Sequence, residues 1–227
     1  MNVYVEFVGQ HKAGKTTTLR HIVEESYFEK YNAIHPHLPE YSRSKWHFAL
    51  WVPLLALRQV RHIVFLTWFF LCYAKMSKVN YRHVWFHLVK MIILHPYYER
   101  TFDFDLWFKD DMLHLLPRIV FKDKVDPKKA FAVYFKHFSY LYDGVVYLDI
   151  DWESLEKRLA ARKKRDPDWD LESRMPIYEH AFEQQPAMRK MLEKQEEVPV
   201  LILDANEEVE RNAQKVKDFV IEEVMKN

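Results

Sequence analysis

Glycine, cysteine and long apolar runs are scarce in this chain, and each scarcity excludes a class of structure. The 227 residues include only three glycines and one cysteine, Cys72. A single cysteine excludes an internal disulfide and is compatible with a reducing compartment. The longest apolar run, residues 63–74, is too short to span a bilayer. Because Cys72 lies within this run, we expect a buried, inert thiol. No secretory-signal pattern stands at the start, and we expect a cytoplasmic protein.

Acidic residues are missing from residues 41–98, although the whole chain has a formal net charge of only +1. This stretch is rich in aromatic residues and carries eight basic ones: Arg43, Lys45, Arg58, Arg61, Lys75, Lys78, Arg82 and Lys90. Charge distributed so unevenly indicates an anionic partner or surface, whereas the balanced total argues against a general nucleic-acid binder.

Two of the three glycines frame a specific motif. Residues 9–16 read Gly-Gln-His-Lys-Ala-Gly-Lys-Thr, after an apolar run (residues 3–8) and before a helical pattern (residues 17–29). This is the pattern of a phosphate-binding P-loop, in which glycines let successive N–H groups point at phosphate oxygens beside a helix N-terminus. The motif predicts that the protein binds a nucleoside triphosphate.

The P-loop pattern assigns a role to each of its residues. Lys15 is expected to reach the terminal phosphates, and the hydroxyl of Thr16 to ligate magnesium. A glycine-bearing turn that binds nothing would not explain this pair. The predicted nucleotide contacts are Gly9, Gln10, His11, Lys12, Ala13, Gly14, Lys15, Thr16 and Thr17.

Three arginines form a second constellation. Arg158, Arg162 and Arg165 share one face of a predicted helix, and a polar segment follows them. They are either the solvated side of an amphipathic helix or guanidinium groups that close over a transferred phosphoryl and neutralise its charge. Beside a P-loop we favour the second interpretation, with all three as catalytic residues.

Strand and helix patterns alternate along the chain, which predicts an α/β fold with a parallel sheet covered on both sides. Residues 45–95 read as two or three helices, and Asp151 caps a helix over residues 152–164. We expect Pro186 to interrupt the helix after it. His83 and His87, four residues apart, lack further ligands for a metal site and are interpreted as ordinary surface or core histidines.

The sequence resembles thymidylate kinases and deoxynucleoside kinases. The similarity lies in residues 145–153 (Val-Val-Tyr-Leu-Asp-Ile-Asp-Trp-Glu), in the Arg158-Leu159-x-x-Arg162 pattern and in residues 203–209 (Leu-Asp-Ala-Asn-Glu-Glu-Val). The family's segments follow one another along the whole chain: P-loop, helical acceptor-binding segment, middle strand, lid and adenine loop. The resemblance implies one P-loop kinase domain (1–227) with five parallel strands, a helical acceptor-binding segment (about 40–100) and a lid (152–186). It also implies ATP and Mg²⁺ as cofactors, with Ala205 and Asn206 beside the adenine.

The chain departs from this family where the acceptor should bind. Asp110-Asp111 stands where the family has Asp-Arg, so the arginine that would meet an acceptor phosphate is missing. Asp110 is predicted as a catalytic and magnesium-shell carboxylate, and the two aspartates could equally cap a helix that begins at Met112. Glu40, Arg43 and Asp111 are the predicted acceptor contacts.

The leading hypothesis is therefore a kinase that transfers the terminal phosphoryl of Mg-ATP to a nucleotide or nucleoside-like acceptor. A kinase for a glycan or lipid-linked acceptor at an anionic membrane surface is the alternative, because of the basic and aromatic segment. A P-loop NTPase that is not a kinase is a minor third. No nucleic-acid partner is expected, and the sequence leaves a homodimer open.

Overall fold

The computed structural model describes residues 2–10, 12–24, 27–28, 30–31, 33–34, 57–75, 80–101, 104–109 and 112–226. A parallel sheet lies at its centre. The strands are β1 (Val3–Gly9), β2 (Ala33–Ile34), β3 (Leu106–Lys109), β4 (Gly144–Asp149) and β5 (Val200–Asp204). They stand in the order β2-β3-β1-β4-β5, and every pairing is parallel. The predicted α/β fold is confirmed, with four strands of full length and a fifth reduced to the two-residue pairing of β2.

Helices flank this sheet. They are α1 (Lys15–Glu24), α2 (Val60–Tyr73), α3 (Asn80–Thr101), α4 (Pro127–Phe138), α5 (Trp152–Arg165), α6 (Met175–Leu192) and α7 (Val209–Phe219). A 3-10 helix (Leu113–Arg118) follows β3, and the turn after α7 (Val220–Val224) is π-helical.

Alternate side chains of the central strands enter two separate cores. On β4, Val146 and Leu148 pack on the side of α1, α5 and α7, whereas Val145 and Tyr147 pack on the side of α2, α3, α4 and α6. A parallel strand that is buried on both faces reads as a continuous apolar run, which is why residues 144–148 are apolar throughout. The sheet is thus covered on both sides.

Helix starts follow the local chemistry of the sequence. Asp151 accepts a hydrogen bond from the Ser154 N–H at 2.9 Å, so the predicted cap of α5 is confirmed.

The helix α6 continues through Pro186, so the predicted interruption is wrong. A proline removes one backbone hydrogen bond, but α6 packs along its length against α4 and the 3-10 helix, and this packing holds the helix together.

The predicted burial of Cys72 is also wrong, because its side chain is exposed. The helix α2 turns His62, Leu66, Phe69 and Phe70 inward, and Cys72 lies on another side of it. Among the described residues, no helix combines the length and the hydropathy needed to cross a bilayer.

Two histidines, a buried His62 and a half-buried His137, join α2 to the end of α4. His62 is 4% exposed, and its Nδ1 lies 3.1 Å from Nε2 of His137. Its Nε2 accepts a hydrogen bond from Nε of Arg61 at 2.9 Å and lies 2.9 Å from the hydroxyl of Tyr140. Burial, with a contribution from the Arg61 charge, lowers the pKa of His62 to about 4, so the ring is neutral at pH 7.

This lowered pKa predicts acid sensitivity of the fold. The unfolded chain takes up a proton on His62 near the ordinary pKa of 6.5, whereas the folded chain does so only near 4. The free energy of unfolding is therefore highest above about pH 6.5. It declines as the pH falls, by about 1–2 kcal/mol between pH 7 and pH 5. Denaturant unfolding at a series of pH values measures this decline.

The variant His62→Gln should show a smaller decline over this pH range. Some slope remains, because burial also lowers the pKa values of His95 and His137. His83→Gln changes an exposed ring and serves as the matched control. Equal slopes for His62→Gln and the unmodified protein would contradict the assignment.

Candidate active site

The loop between β1 and α1 has a backbone that only a few residue types adopt. Gly9, Lys12 and Gly14 have φ angles of +130°, 72° and +104°. A Cβ on Gly9 would lie 2.4 Å from the carbonyl oxygen of Leu148 at the end of β4. Both the left-handed conformation and this contact therefore require glycine at position 9.

Lys15 begins α1 and lies inside the loop. Its side chain is 6% exposed, and Nζ donates to the carbonyl oxygens of Gly9 and Gln10 at 3.0 and 3.1 Å. Thr16 and Thr17, in the first turn of α1, are exposed. The loop thus places one ammonium group and two hydroxyls at a helix N-terminus, an arrangement that suits an anion.

Arg158 of α5 ties this loop to the segment after β5. Its Nη1 donates to the carbonyl oxygens of Lys12 at 3.3 Å and Ala13 at 2.6 Å, and its Nη2 donates to Ala205 at 2.5 Å. Arg158 was predicted to act on the phosphoryl group, but in this geometry its donors hold protein carbonyls. In this structure Arg158 thus positions the loop, and its action on the phosphoryl group stays a prediction.

The contact with Arg158 also orients the amides of the loop. In a trans peptide the carbonyl and the following N–H point in opposite directions. The Lys12 carbonyl faces Arg158, and the next amide, that of Ala13, donates across the loop to Gln10 at 3.0 Å. By the same geometry the Gly14 N–H points away from Arg158. One guanidinium group thus fixes two peptide planes of the loop.

Two further cations near the loop share an aromatic partner. Nζ of Lys12 lies 5.9 Å from the ring centre of Trp169, and the guanidinium of Arg162 lies 5.7 Å from it. Arg162 also pairs with Asp166 at 3.1 Å. Burial first, and then the charges of Arg162, Arg165 and Arg174, lower the pKa of Lys12. The loop therefore faces a concentration of positive charge.

The segment after β5 is built around Asp204. The Asn206 N–H donates to Oδ1 of Asp204, and its side-chain Nδ2 donates to Asp151, both at 2.8 Å. Hydrogen bonds from Ser154 first, and then the one from the Asn206 side chain, lower the pKa of Asp151 to about 2. Asn206 thus holds the start of α5. Ala205 lines the cleft described next, together with Glu207, Val209 and Asn212.

A cleft of about 690 Å³ begins at the loop and extends to residues that the sequence interpretation did not assign to a site. Its nearer wall contains residues 12–18 with Arg158, Arg162 and Arg165. Its farther wall contains His83, His87, His114 and Arg118. His83 and His87, which were interpreted as ordinary surface or core histidines, both line the cleft. Their spacing on one helix face was the available signal, but nothing local indicated what the face adjoins.

Glu6 holds part of the farther wall in place. This carboxylate of β1 is fully buried, and its Oε1 accepts from the N–H groups of Met112 and Leu113 at 2.8 and 3.0 Å. These amides start the 3-10 helix that carries His114 and Arg118. A charge-assisted bond to two helix-terminal amides is strong in such a dry environment. Burial lowers the pKa of Arg118, although Tyr178 opposes this effect.

Several predicted residues lie outside the described part of the chain. They are His11, Glu40, Arg43, Asp110 and Asp111. The predicted roles of Asp110 in catalysis and magnesium binding, and of Glu40, Arg43 and Asp111 in acceptor binding, stay predictions.

The described residues fit a magnesium ion that is held mainly by its ligand. No cluster of three or more His, Cys, Asp or Glu side chains in the described ranges is arranged to hold a metal. Magnesium at nucleotide sites takes most of its oxygens from phosphates and water and only one or two from protein. The exposed hydroxyl of Thr16, which lines the cleft, fits this donor set.

Solved structures of a deoxyadenosine kinase share this fold. The M. mycoides enzyme with products dCMP and a flexible dCDP bound has a TM-score of 0.52 and 13% identity, and the match covers 96% of this chain and 98% of that chain. The same enzyme with bound dCTP has a TM-score of 0.51 and 14% identity, over 96% and 99% of the two chains. At this identity the likeness shows the fold alone. No family model and no curated protein matches the chain.

The tie made by Arg158 predicts a measurable loss of stability on substitution. Arg158→Ala leaves three carbonyl groups without this donor and should lower the free energy of unfolding by about 1–3 kcal/mol. Arg158→Lys should recover only part of the loss, because an ammonium cannot span the same carbonyls as a planar fork. Denaturant unfolding measures both effects.

The neighbouring Lys157 provides the control. Its exposed side chain pairs with Glu153 on the same helix, so Lys157→Ala should change stability by no more than about 0.5 kcal/mol. If Arg158→Ala unfolds at the same denaturant concentration as Lys157→Ala, the hydrogen bonds of Arg158 do not stabilise the loop.

Proposed function

We propose that the protein is a phosphotransferase that moves the terminal phosphoryl of Mg-ATP to a nucleoside or nucleotide acceptor. The observation that carries the proposal is the continuous cleft of about 690 Å³ between the glycine-framed loop and the wall of histidines and Arg118. A donor and an acceptor must lie end to end in such an enzyme, and a cleft of this volume holds both. The predicted single domain, with its acceptor segment and lid, is part of this proposal.

The donor end of the cleft supplies positive charge and oriented donors. The triphosphate lies along residues 12–17, with Lys15 at the terminal phosphates and the Thr16 hydroxyl on the metal. Mg²⁺, when bound, neutralises charge on the phosphate oxygens. The nucleoside of the donor extends toward Ala205, Glu207 and Val209, which line the same end.

Transfer requires that charge on the moving phosphoryl be neutralised in a dry site. Arg162 and Arg165 line the cleft beside the loop, and Lys12 lies close to both. Since Arg158 is committed to protein carbonyls, Arg162 and Arg165 are the lid arginines available for this role.

The acceptor end favours a ligand that carries negative charge. Arg118 and three histidines line it, and among the described residues of the cleft the only carboxylate is Glu207, at the donor end. A guanidinium group pairs well with a phosphate. The deoxyadenosine kinase of similar fold was solved with dCMP, dCDP and dCTP. Because dCMP is a product of that enzyme, the likeness favours nucleosides, whereas Arg118 favours a phosphorylated ligand, and we propose both classes as acceptors.

An ATP-consumption screen with nucleosides and nucleoside monophosphates tests this proposal. We expect turnover with at least one acceptor, and at least about a hundredfold loss of it in Lys15→Ala, because the variant lacks the ammonium at the terminal phosphates. Phosphorylated product is measured directly, so that hydrolysis is not counted as transfer.

Lys30→Ala removes an exposed lysine outside the cleft and is the matched control, with thermal unfolding recorded for both variants. Unchanged transfer by folded Lys15→Ala would rule out the proposed site. Hydrolysis that no acceptor stimulates would instead identify an NTPase that is not a kinase.

Arg162 gives a second prediction for the proposed reaction. A group that acts only on the transition state lowers kcat more than it raises KM when it is removed. We expect Arg162→Ala to lower kcat by about ten- to a hundredfold with a small change in KM for ATP. Steady-state kinetics at saturating acceptor measure both constants.

Lys164, an exposed lysine on the same helix, provides the comparison, and Lys164→Ala should leave both constants unchanged. A rise in KM alone for Arg162→Ala would make Arg162 a binding residue rather than a transition-state group.

A further inference from the structure

The helix α2 presents a second apolar face to solvent, opposite its buried one. Its inward residues include Leu66, Phe69 and Phe70, which are at most 1% exposed. Its outward residues are Val60, Val64, Trp68 and Leu71, which are 54%, 60%, 46% and 54% exposed. At about 100° per residue these four lie within an arc of about 80° and extend over about 16 Å. We call them the α2 stripe.

Within the described part of the chain, nothing that packs on α2 explains an exposed apolar stripe of this kind. A helix that is apolar all round is normally buried on every side. Scattered exposed apolar residues are common on proteins, but four of them along about three turns of one face, including a tryptophan, indicate an interaction surface.

Positive charge lies at both ends of the stripe. Arg58 and Arg61 are exposed at the start of α2. At its other end, Nζ of Lys122 donates to the carbonyl oxygen of Leu71 at 2.5 Å, and Lys75 pairs with Asp123. Residues 41–98, which contain the whole stripe, include no Asp or Glu. The stripe is therefore framed by cations.

This charge pattern selects among the surfaces that could cover the stripe. In a symmetric pair of chains, parallel helices would bring Arg58 and Arg61 against their own copies. Antiparallel helices would bring them against Lys75, Lys122 and Lys124, where Asp123 is already paired with Lys75. Both arrangements place net positive charge against positive charge, which costs binding energy. An anionic surface meets the cations at both ends.

We infer that the α2 stripe docks on a membrane surface rich in anionic lipid. Trp68 lies at the depth where membranes enrich tryptophan, Val60, Val64 and Leu71 enter the boundary of the acyl chains, and the flanking cations contact headgroup phosphates. The helix lies in the plane of the interface. This inference does not depend on the proposed kinase activity.

Co-sedimentation with vesicles tests the inference. We expect the full chain to bind vesicles of equimolar phosphatidylglycerol and phosphatidylcholine at low salt, and not to bind pure phosphatidylcholine. Val64→Gln/Trp68→Gln should lower the partition coefficient by about tenfold or more, since it removes the centre of the apolar face. Because these side chains are exposed, thermal unfolding should be little changed, and it is recorded to check this.

A second pair of variants tests the charges. Arg58→Gln/Lys122→Gln should lower partitioning by about tenfold, whereas Lys157→Gln/Lys164→Gln removes two exposed cations of α5 and should not. Light scattering on the same samples reports the oligomeric state. Absence of binding to anionic vesicles, equal binding by the stripe variant, or a dimer that the stripe variant dissociates would each overturn the inference.

Discussion

The close contact between the ends of β1 and β4 is the constraint on which the site depends. Gly9 approaches the Leu148 carbonyl so closely that a single methyl group would meet it at 2.4 Å. The chain can turn out of the sheet at this point only because position 9 has no side chain. From this turn follow the position of Lys15, the course of the loop and the start of α1. A side chain there would separate the two central strands.

The residues around the loop then divide into those that shape it and those that remain available to a ligand. Arg158 donates hydrogen bonds to three carbonyl oxygens, and these bonds connect α5 to the loop and to the segment after β5. Glu6 does the same for the farther wall, where it fixes two amides of the 3-10 helix. Arg162, Arg165 and the exposed threonines stay on the surface of the cleft. The parts that shape the site are thus polar side chains with backbone partners, a half-buried Arg158 and a buried Glu6.

Local chemistry made part of this predictable. The two glycines, the alternation of strands and helices and the cap at Asp151 each depend on neighbours in the sequence, and the sequence shows them. Glu6 and the roles of His83 and Arg158 depend on residues that are distant in the chain. Pro186 and Cys72 were misjudged for the same reason: tertiary packing, rather than propensity, holds α6 together and decides which side of α2 is buried.

Trp169 is the shared aromatic partner of two cations near the loop. Lys12 from the loop and Arg162 from α5 lie over the same indole ring, at 5.9 and 5.7 Å. A polyphosphate competes with the ring for both cations, and Coulomb attraction to phosphate exceeds the attraction to a ring face. In the proposed reaction the two cations would turn from the indole to the triphosphate, while Lys163 keeps its hydrogen bonds to the carbonyl oxygens of Pro167 and Trp169. Phosphate binding would then be coupled to the packing around Trp169.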